Sequence, residues 1–211
     1  AFAVLGAHAR PDGTAWLAVF LPGAAQVAAV SPHDDTALAA LQRRDPAGLF
    51  EGALPGKVGY RLQVQWADGS QGLLDDPYRF GPVLGEVDAW LLAEGSHLRP
   101  FEILGATPRE HEGVAGCAFA VWAPNAARVS VVGDFNHWDG RRHPMRLRRE
   151  CGVWEIFLPG VTAGARYKFE LLDRGGALLP LKVDPYARRA ELRPASASVV
   201  EQVAALFKLF E

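Results

Sequence analysis

Cysteine is nearly absent. The 211 residues hold two, Cys117 and Cys151. That is too few for a disulfide framework, and neither has the CxxC partner or histidine spacing of a zinc site. They could form one bridge, but the simpler reading is two buried thiols kept reduced in a cytoplasmic protein. An excess of charge of either sign is also lacking. The formal net charge of −2 argues against a nucleic-acid partner and against an anionic lipid surface. No run of about 18 uncharged apolar residues occurs, so no membrane-spanning helix is expected. The first residues carry no basic stretch of the kind a signal peptide needs. Catalytic signatures are missing too. There is no GxSxG, no P-loop and no GxGxxG, and the six histidines form no HxxxH or Ser-His-Asp pattern. No catalytic residue, cofactor or metal is expected.

Helical patterns are scarce as well. What is present is punctuation: 22 glycines and 15 prolines break the chain into short apolar runs. Turn signals recur roughly every 8–12 residues, the pattern of a β-sandwich rather than of alternating strands and helices. The two halves of the chain resemble each other in order. Phe2-Ala3-Val4-Leu5-Gly6-Ala7 returns as Phe101-Glu102-Ile103-Leu104-Gly105-Ala106. Trp16 to Pro22 returns as Ala118 to Pro124, and Gly48-Leu49-Phe50-Glu51 as Gly152-Val153-Trp154-Glu155. Tyr60-Arg61-Leu62 matches Tyr167-Lys168-Phe169, and Asp76-Pro77-Tyr78 matches Asp184-Pro185-Tyr186. The spacing drifts from 99 to 108 residues, as loop insertions cause. One β-architecture occurring twice is the reading.

The fold class expected is therefore all-β, two tandem immunoglobulin-like β-sandwich domains joined by a short helical bridge. The first domain is placed at residues 1–97 and the second at 98–200. A terminal segment at 201–211 stands outside the repeat, with a weak amphipathic pattern from residue 203. The bridge is the stretch from Glu86 to Glu94, with acidic residues in its first turn and Gly95 placed to end it. Val87, Trp90, Leu91 and Leu92 are expected to form its apolar face, with Trp90 packed between domains.

Among the tryptophans, Trp16, Trp122 and Trp154 lie in strand patterns and are assigned to the core, while Trp66 is ambiguous. Trp138 differs. It lies in Gly133-Asp134-Phe135-Asn136-His137-Trp138-Asp139-Gly140, a loop of turn formers after a strand. A flat aromatic face packs against the C–H groups of a sugar ring, so Trp138 is either a sugar platform or the cap on one edge of the core. Asn136 can donate and accept, which suits a hydroxyl, and Lys168 can donate. Glycosidic chemistry needs two facing carboxylates. Asp34, Asp35, Asp75, Asp76, Asp134, Asp139 and Glu155 are candidates by type, but most sit in turns where aspartate serves the backbone. The basic stretch at 141–149 reads as a solvated hairpin or a docking face.

These motifs resemble those of bacterial 1,4-α-glucan (glycogen) branching enzymes. The most specific segments are Asp75-Asp76-Pro77-Tyr78-Arg79-Phe80-Gly81-Pro82, the run from Asp88 to Pro100, and residues 119–147 with Val121-Trp122-Ala123-Pro124 and Phe135-Asn136-His137-Trp138. The likeness runs from about residue 2 to about residue 200. It implies that the second sandwich is a family-48-type carbohydrate-binding module and the first is the extra N-terminal sandwich of the longer enzymes. It implies α-1,4-glucan, glycogen or malto-oligosaccharide as ligand and the enzyme's (β/α)₈ catalytic domain as partner. That barrel needs about 250 residues of its own, so no catalytic residue transfers to this chain. Two binding residues do: the tryptophan that stacks on glucose falls on Trp138, and the lysine that meets a hydroxyl falls on Lys168. A second tryptophan usual in such modules is replaced by Leu178-Leu179-Pro180-Leu181-Lys182. The function implied is glucan binding and positioning for an enzyme that cuts α-1,4 chains and rejoins them as α-1,6 branches. The alternative is a purely structural or oligomer-forming support. The first domain, whose equivalent region Pro32-His33-Asp34-Asp35 has no aromatic, fits that structural role more readily.

Overall fold

The computed structural model describes residues 1–202; the amphipathic pattern expected from residue 203 lies outside them. The chain forms two compact units, residues 1–80 and residues 81 onward. Among the described residues no helix is long and apolar enough to cross a membrane.

The first unit is built from seven antiparallel strands: β1 (Gly6–Ala9), β2 (Ala15–Phe20), β3 (Ala24–Val30), β4 (Ala37–Asp45), β5 (Leu49–Leu54), β6 (Arg61–Trp66) and β7 (Gln71–Leu74). Their order is β1-β2-β5-β4-β3-β6-β7. Strand β4 is the hinge of this arrangement. Its first half pairs with β3 as far as Leu41 opposite Val27. Its second half pairs with β5 from Gln42 onward, with a bulge between Arg43 and Asp45. A bulge bends and twists a strand, and here it lets one sheet fold over on itself. Leu17 and Phe50 from one side then share a core with Val27, Leu62 and Val64 from the other.

The second unit carries the helix and eight strands: α1 (Glu86–Glu94), β8 (Gly105–His111), β9 (Val114–Trp122), β10 (Arg128–Gly133), β11 (Arg146–Arg148), β12 (Val153–Pro159), β13 (Arg166–Leu172), β14 (Arg189–Ala190) and β15 (Ser198–Val199). They form two sheets, β11-β12-β9-β8 and β10-β13-β15-β14. Alternation along β9 and β13 sends Phe119 and Tyr167 inward, and their rings meet edge to face at 5.1 Å between centroids. The all-β sandwich reading holds in both units.

Helix α1 packs within the second unit. Ala89 is its buried residue, and with Leu84, Leu92 and Ile103 it covers Ala120, Cys151 and Val153 on the back of the β9 sheet. The units thus divide at 80/81 rather than at the expected 97/98, because the segment from 81 onward is held by that packing. The expected apolar face is corrected. Val87 and Trp90 point outward, Trp90 at 59% exposure, and the small residue Ala89 makes the close approach. Gly95 ends the helix as expected, with φ of +71°, its N–H donating to the Leu92 carbonyl while Ser96 N–H donates to Leu91. Trp122 is also corrected. It closes β9 on the outward side of the alternation, 59% exposed, and its indole N–H donates to the Cys151 carbonyl at 3.1 Å. Trp16 is half-buried under the Arg10 guanidinium, while Trp154 is a core residue as assigned.

The basic stretch is not a plain solvated hairpin. Arg148 is buried and donates to Glu155, to Glu86 and to the Leu84 carbonyl. Glu155, 1% exposed, accepts the backbone N–H groups of Val83 and Leu84 at 3.0 and 2.7 Å. This network clamps the entry to α1 against β12.

Each unit repeats one buried polar constellation. The Tyr60 hydroxyl donates to Asp76 at 2.6 Å, and Asp76 accepts the Tyr78 N–H. The Tyr167 hydroxyl donates to Asp184 at 2.5 Å, and Asp184 accepts the Tyr186 N–H. Burial pushes both carboxyls above the ordinary range, while the tyrosine bonds oppose the rise. Removing one hydroxyl leaves a buried carboxyl short of a donor, which costs about 1–3 kcal/mol. Tyr167→Phe is expected to lower the unfolding free energy of the second unit by that amount in urea, and Tyr60→Phe that of the first. A change below about 0.5 kcal/mol would show that neither bond adds net stability.

Candidate functional site

The loop after β10 begins at Gly133. One helical turn, Asp134–Asn136, follows. His137 and Trp138 then both adopt left-handed backbone, with φ of 56° and 60°. Two consecutive non-glycine residues there cost on the order of 1–3 kcal/mol each, so the surroundings must over-determine the turn. Asn136 does this. It is 1% exposed, its Oδ1 accepts the Gly133 N–H at 2.9 Å, and its Nδ2 donates to the Val131 carbonyl at 2.8 Å and to His143 Nδ1 at 2.9 Å. Because Oδ1 takes a backbone N–H, the amide can point only one way. His143 Nδ1 must then be an unprotonated acceptor. Burial pushes the His143 imidazole down to about 4, helped by the nearby Arg142 charge. The Trp138 N–H closes the turn on the Gly133 carbonyl at 3.1 Å.

Trp138 itself is half-buried. Its indole N–H donates to Asp134 Oδ1 at 3.3 Å. Asp134 is in turn gripped by Arg166, whose Nε and Nη2 donate at 2.9 and 3.0 Å. These bonds hold the Asp134 carboxyl below the ordinary carboxylate range. Arg166 opens β13. Tyr167 and Phe169 of that strand face the core, so Arg166, Lys168 and Glu170 share the outward face. Lys168 Nζ donates to Ser196 Oγ at 2.8 Å. Glu170 pairs with Arg128, and Gly140 lies so close to Glu170 that a Cβ there would strike its carboxylate. The loop therefore folds over the outer face of β13. Trp138 is linked through Asp134 to Arg166, which shares the outward face of β13 with Lys168, two residues on and about 7 Å away along the strand.

Asn136 does not join them. Its expected contact with a ligand hydroxyl is corrected: every polar atom of its side chain is spent inside the loop, and it is a positioning residue for Trp138. The sequence reading missed Arg166 and Ser196, although the alternation Arg166-x-Lys168-x-Glu170 was there to mark an outward polar row. It also missed an aliphatic strip. The bridge between Phe169 and Lys182 puts Leu181 and Val183 on the outward side with Lys168, and the bridge between Leu172 and Leu178 adds Leu178, 61% exposed.

Most of the carboxylate candidates are otherwise engaged. Asp75 pairs with Arg61 and Arg79, Asp139 with Arg141, and Asp34 accepts from Thr36. Among the described residues no three histidine, cysteine or carboxylate side chains gather to hold a metal ion. Cys117 and Cys151 are buried and free, and burial pushes Cys117 up to about 12.

Residues 1–78 match the family described as the N-terminal domain of alpha-1,4-glucan branching enzyme GlgB. Residues 103–187 match carbohydrate-binding module 48, the isoamylase N-terminal domain. Over 199 residues, 94% of the chain, the sequence is 56% identical to the 1,4-alpha-glucan branching enzyme GlgB of Paramagnetospirillum magneticum (strain ATCC 700264 / AMB-1), and it spans 26% of that relative's length. Pullulanase from Anoxybacillus sp. LM18-11 overlaps 93% of the chain at 19% identity with a TM-score of 0.37, over 27% of its own length. Pullulanase type I from Bacillus subtilis str. 168, complexed with maltose, overlaps 93% at 16% identity with a TM-score of 0.40, over 26% of its own length. Likeness that loose carries no correspondence between sites. The chain belongs to the N-terminal region of the glycogen branching enzymes, a branching-enzyme N-terminal domain followed by a family-48 carbohydrate-binding module.

Proposed function

We propose that this chain binds and positions α-1,4-glucan for the branching reaction, with the sugar seated on the outer face of β13. The observation that supports the reading is the link from the Trp138 indole through Asp134 to Arg166, on the strand face that also carries Lys168. A glucose ring lies with its C–H groups on the indole, Lys168 donates to a hydroxyl, and the strip of Leu178, Leu181 and Val183 shields the next ring from water. The partners are glycogen or malto-oligosaccharide and the catalytic (β/α)₈ domain of the parent enzyme, in a cytoplasmic setting. Cutting and rejoining of chains belongs to that domain.

Stacking of this kind contributes on the order of 1 kcal/mol, so Trp138→Ala is expected to weaken maltoheptaose binding about fivefold. Trp138→Phe keeps part of it. Affinity electrophoresis in glycogen-containing gels is the measurement. If the unmutated chain runs unretarded, the binding role fails and a bracing role for both sandwiches stands in its place.

The loop also gives the second unit a pH dependence. His143 is near 6.5 when unfolded and about 4 in the folded chain. Its contribution is therefore complete above pH 6.5 and lost as pH falls towards 4, because the unfolded chain takes the proton first. Between pH 7 and pH 5 the loss is about 2 kcal/mol. Thermal unfolding of His143→Gln is expected to show a correspondingly flatter pH profile; an unchanged profile would mean that His143 is not held neutral.

A further inference from the structure

In the first unit, β3 and β4 part company after Val27 and Leu41, because β4 turns away to meet β5. The parting strands leave a groove of about 360 Å³, at the small end of the range for ligand pockets. Its floor is apolar and made of core residues: Val27, Leu41, Phe50 and Val64. Its rim is made of amides, Gln26, Gln63, Gln65 and Gln71.

The strand register makes the rim a row. Gln26 lies directly opposite Gln65, and Gln65 directly opposite Gln71. Residues opposite one another share a face at about 5 Å spacing, and Gln63 follows two places along β6 on the same side. The chain has six glutamines and 46 charged residues of the Asp, Glu, Lys and Arg types. Four of those glutamines line this groove, against one charged residue, Arg43. Arg43 is exposed, and its guanidinium lies over the Phe50 ring at 5.1 Å and donates to the Ala24 carbonyl.

The chemistry of the ligand follows from this contrast. An anion would meet one guanidinium, Arg43, already engaged by the Ala24 carbonyl and the Phe50 ring, a cation would meet no carboxylate, and the rest of the mouth presents amides. A purely apolar ligand would strip water from four amides and return no hydrogen bond. A neutral ligand with C–H groups on one side and hydroxyls at its edges satisfies both surfaces, since each amide donates and accepts. We infer that this groove is a second sugar-binding site, which takes a short uncharged segment of α-1,4-glucan. The choice of α-glucan among neutral sugars rests on the glucan reading of the second unit; the groove itself does not.

The test is a titration of the ¹⁵N-labelled 211-residue chain with maltotriose and then maltoheptaose, following side-chain N–H resonances. The Gln26, Gln63, Gln65 and Gln71 amides are expected to shift, in the unmutated chain and equally in Trp138→Ala. Gln65→Ala is expected to weaken that response about fivefold, the effect of one hydrogen bond. If the Trp138 indole moves while the glutamine amides stay still, the groove proposal is overturned and the loop site stands. If the amides move and the indole does not, the groove stands and the loop site falls. If neither moves at saturating sugar, both are overturned.

Discussion

A tyrosine hydroxyl donated to a buried aspartate carboxylate ties each sandwich together. The bond joins Tyr60, just ahead of β6, or Tyr167, in β13, to the Asp-Pro-Tyr turn that follows. The second carboxylate oxygen caps that turn by accepting the N–H of Tyr78 or Tyr186. The capped turn then lies against the first strand of its unit, where a residue with a Cβ would collide with the Tyr78 or Tyr186 carbonyl. Glycine stands there in both units, Gly6 and Gly105, with φ of +92° and +96°. Three segments distant in sequence are fixed by one carboxylate. A carboxylate removed from water is costly unless its oxygens are occupied, so none of the three partners can change alone.

The clamp on helix α1 obeys the same logic with full charges. Glu155 and Arg148 are buried together, and each also bonds backbone of the segment that leads into the helix. Such a pair is weak evidence for net stability, because desolvation offsets the attraction. Its value is selective. Breaking either partner leaves a buried charge, at a cost of about 3–5 kcal/mol, so only one placement of the segment from Val83 to Glu86 is tolerated. That is why the helix follows the second sandwich.

The architecture was legible in the sequence because repetition and turn chemistry are local signals. The matched Leu-Gly-Ala, Tyr and Asp-Pro-Tyr blocks are the members of the constellation just described, written once per unit. Other features depended on direction, which composition does not carry. Trp122 and Val121 are neighbours with opposite fates, decided by which face of β9 meets the other sheet. On α1 the small residue Ala89 faces inward, where the backbone approaches Ala120 and Val153 closely, and the larger Val87 and Trp90 are left outside. Arg148 was hidden in a run of basic residues, since its burial depends on a glutamate seven residues on and a segment some sixty residues back. Asn136 was assigned correctly to the loop and wrongly to the ligand, because an asparagine that could serve a hydroxyl is equally able to serve three groups of its own chain. The glutamine groove was invisible for a further reason: its row exists only in the register of three strands.

In the proposed site, strain at the loop and sugar binding are linked through order. A single stacked ring contributes on the order of 1 kcal/mol, while freezing a loose side chain on binding costs about 0.5–1.5 kcal/mol. A mobile tryptophan would therefore gain almost nothing from a sugar. Trp138 avoids that cost because its backbone is held left-handed and its indole is bonded to Asp134, which Arg166 holds in turn. The energy that sustains the turn comes from Asn136 and is spent during folding, when its three hydrogen bonds form away from water. The platform is then rigid before any ligand arrives. In the proposed site, the buried Asn136 governs the affinity for a sugar as surely as the Trp138 ring it positions.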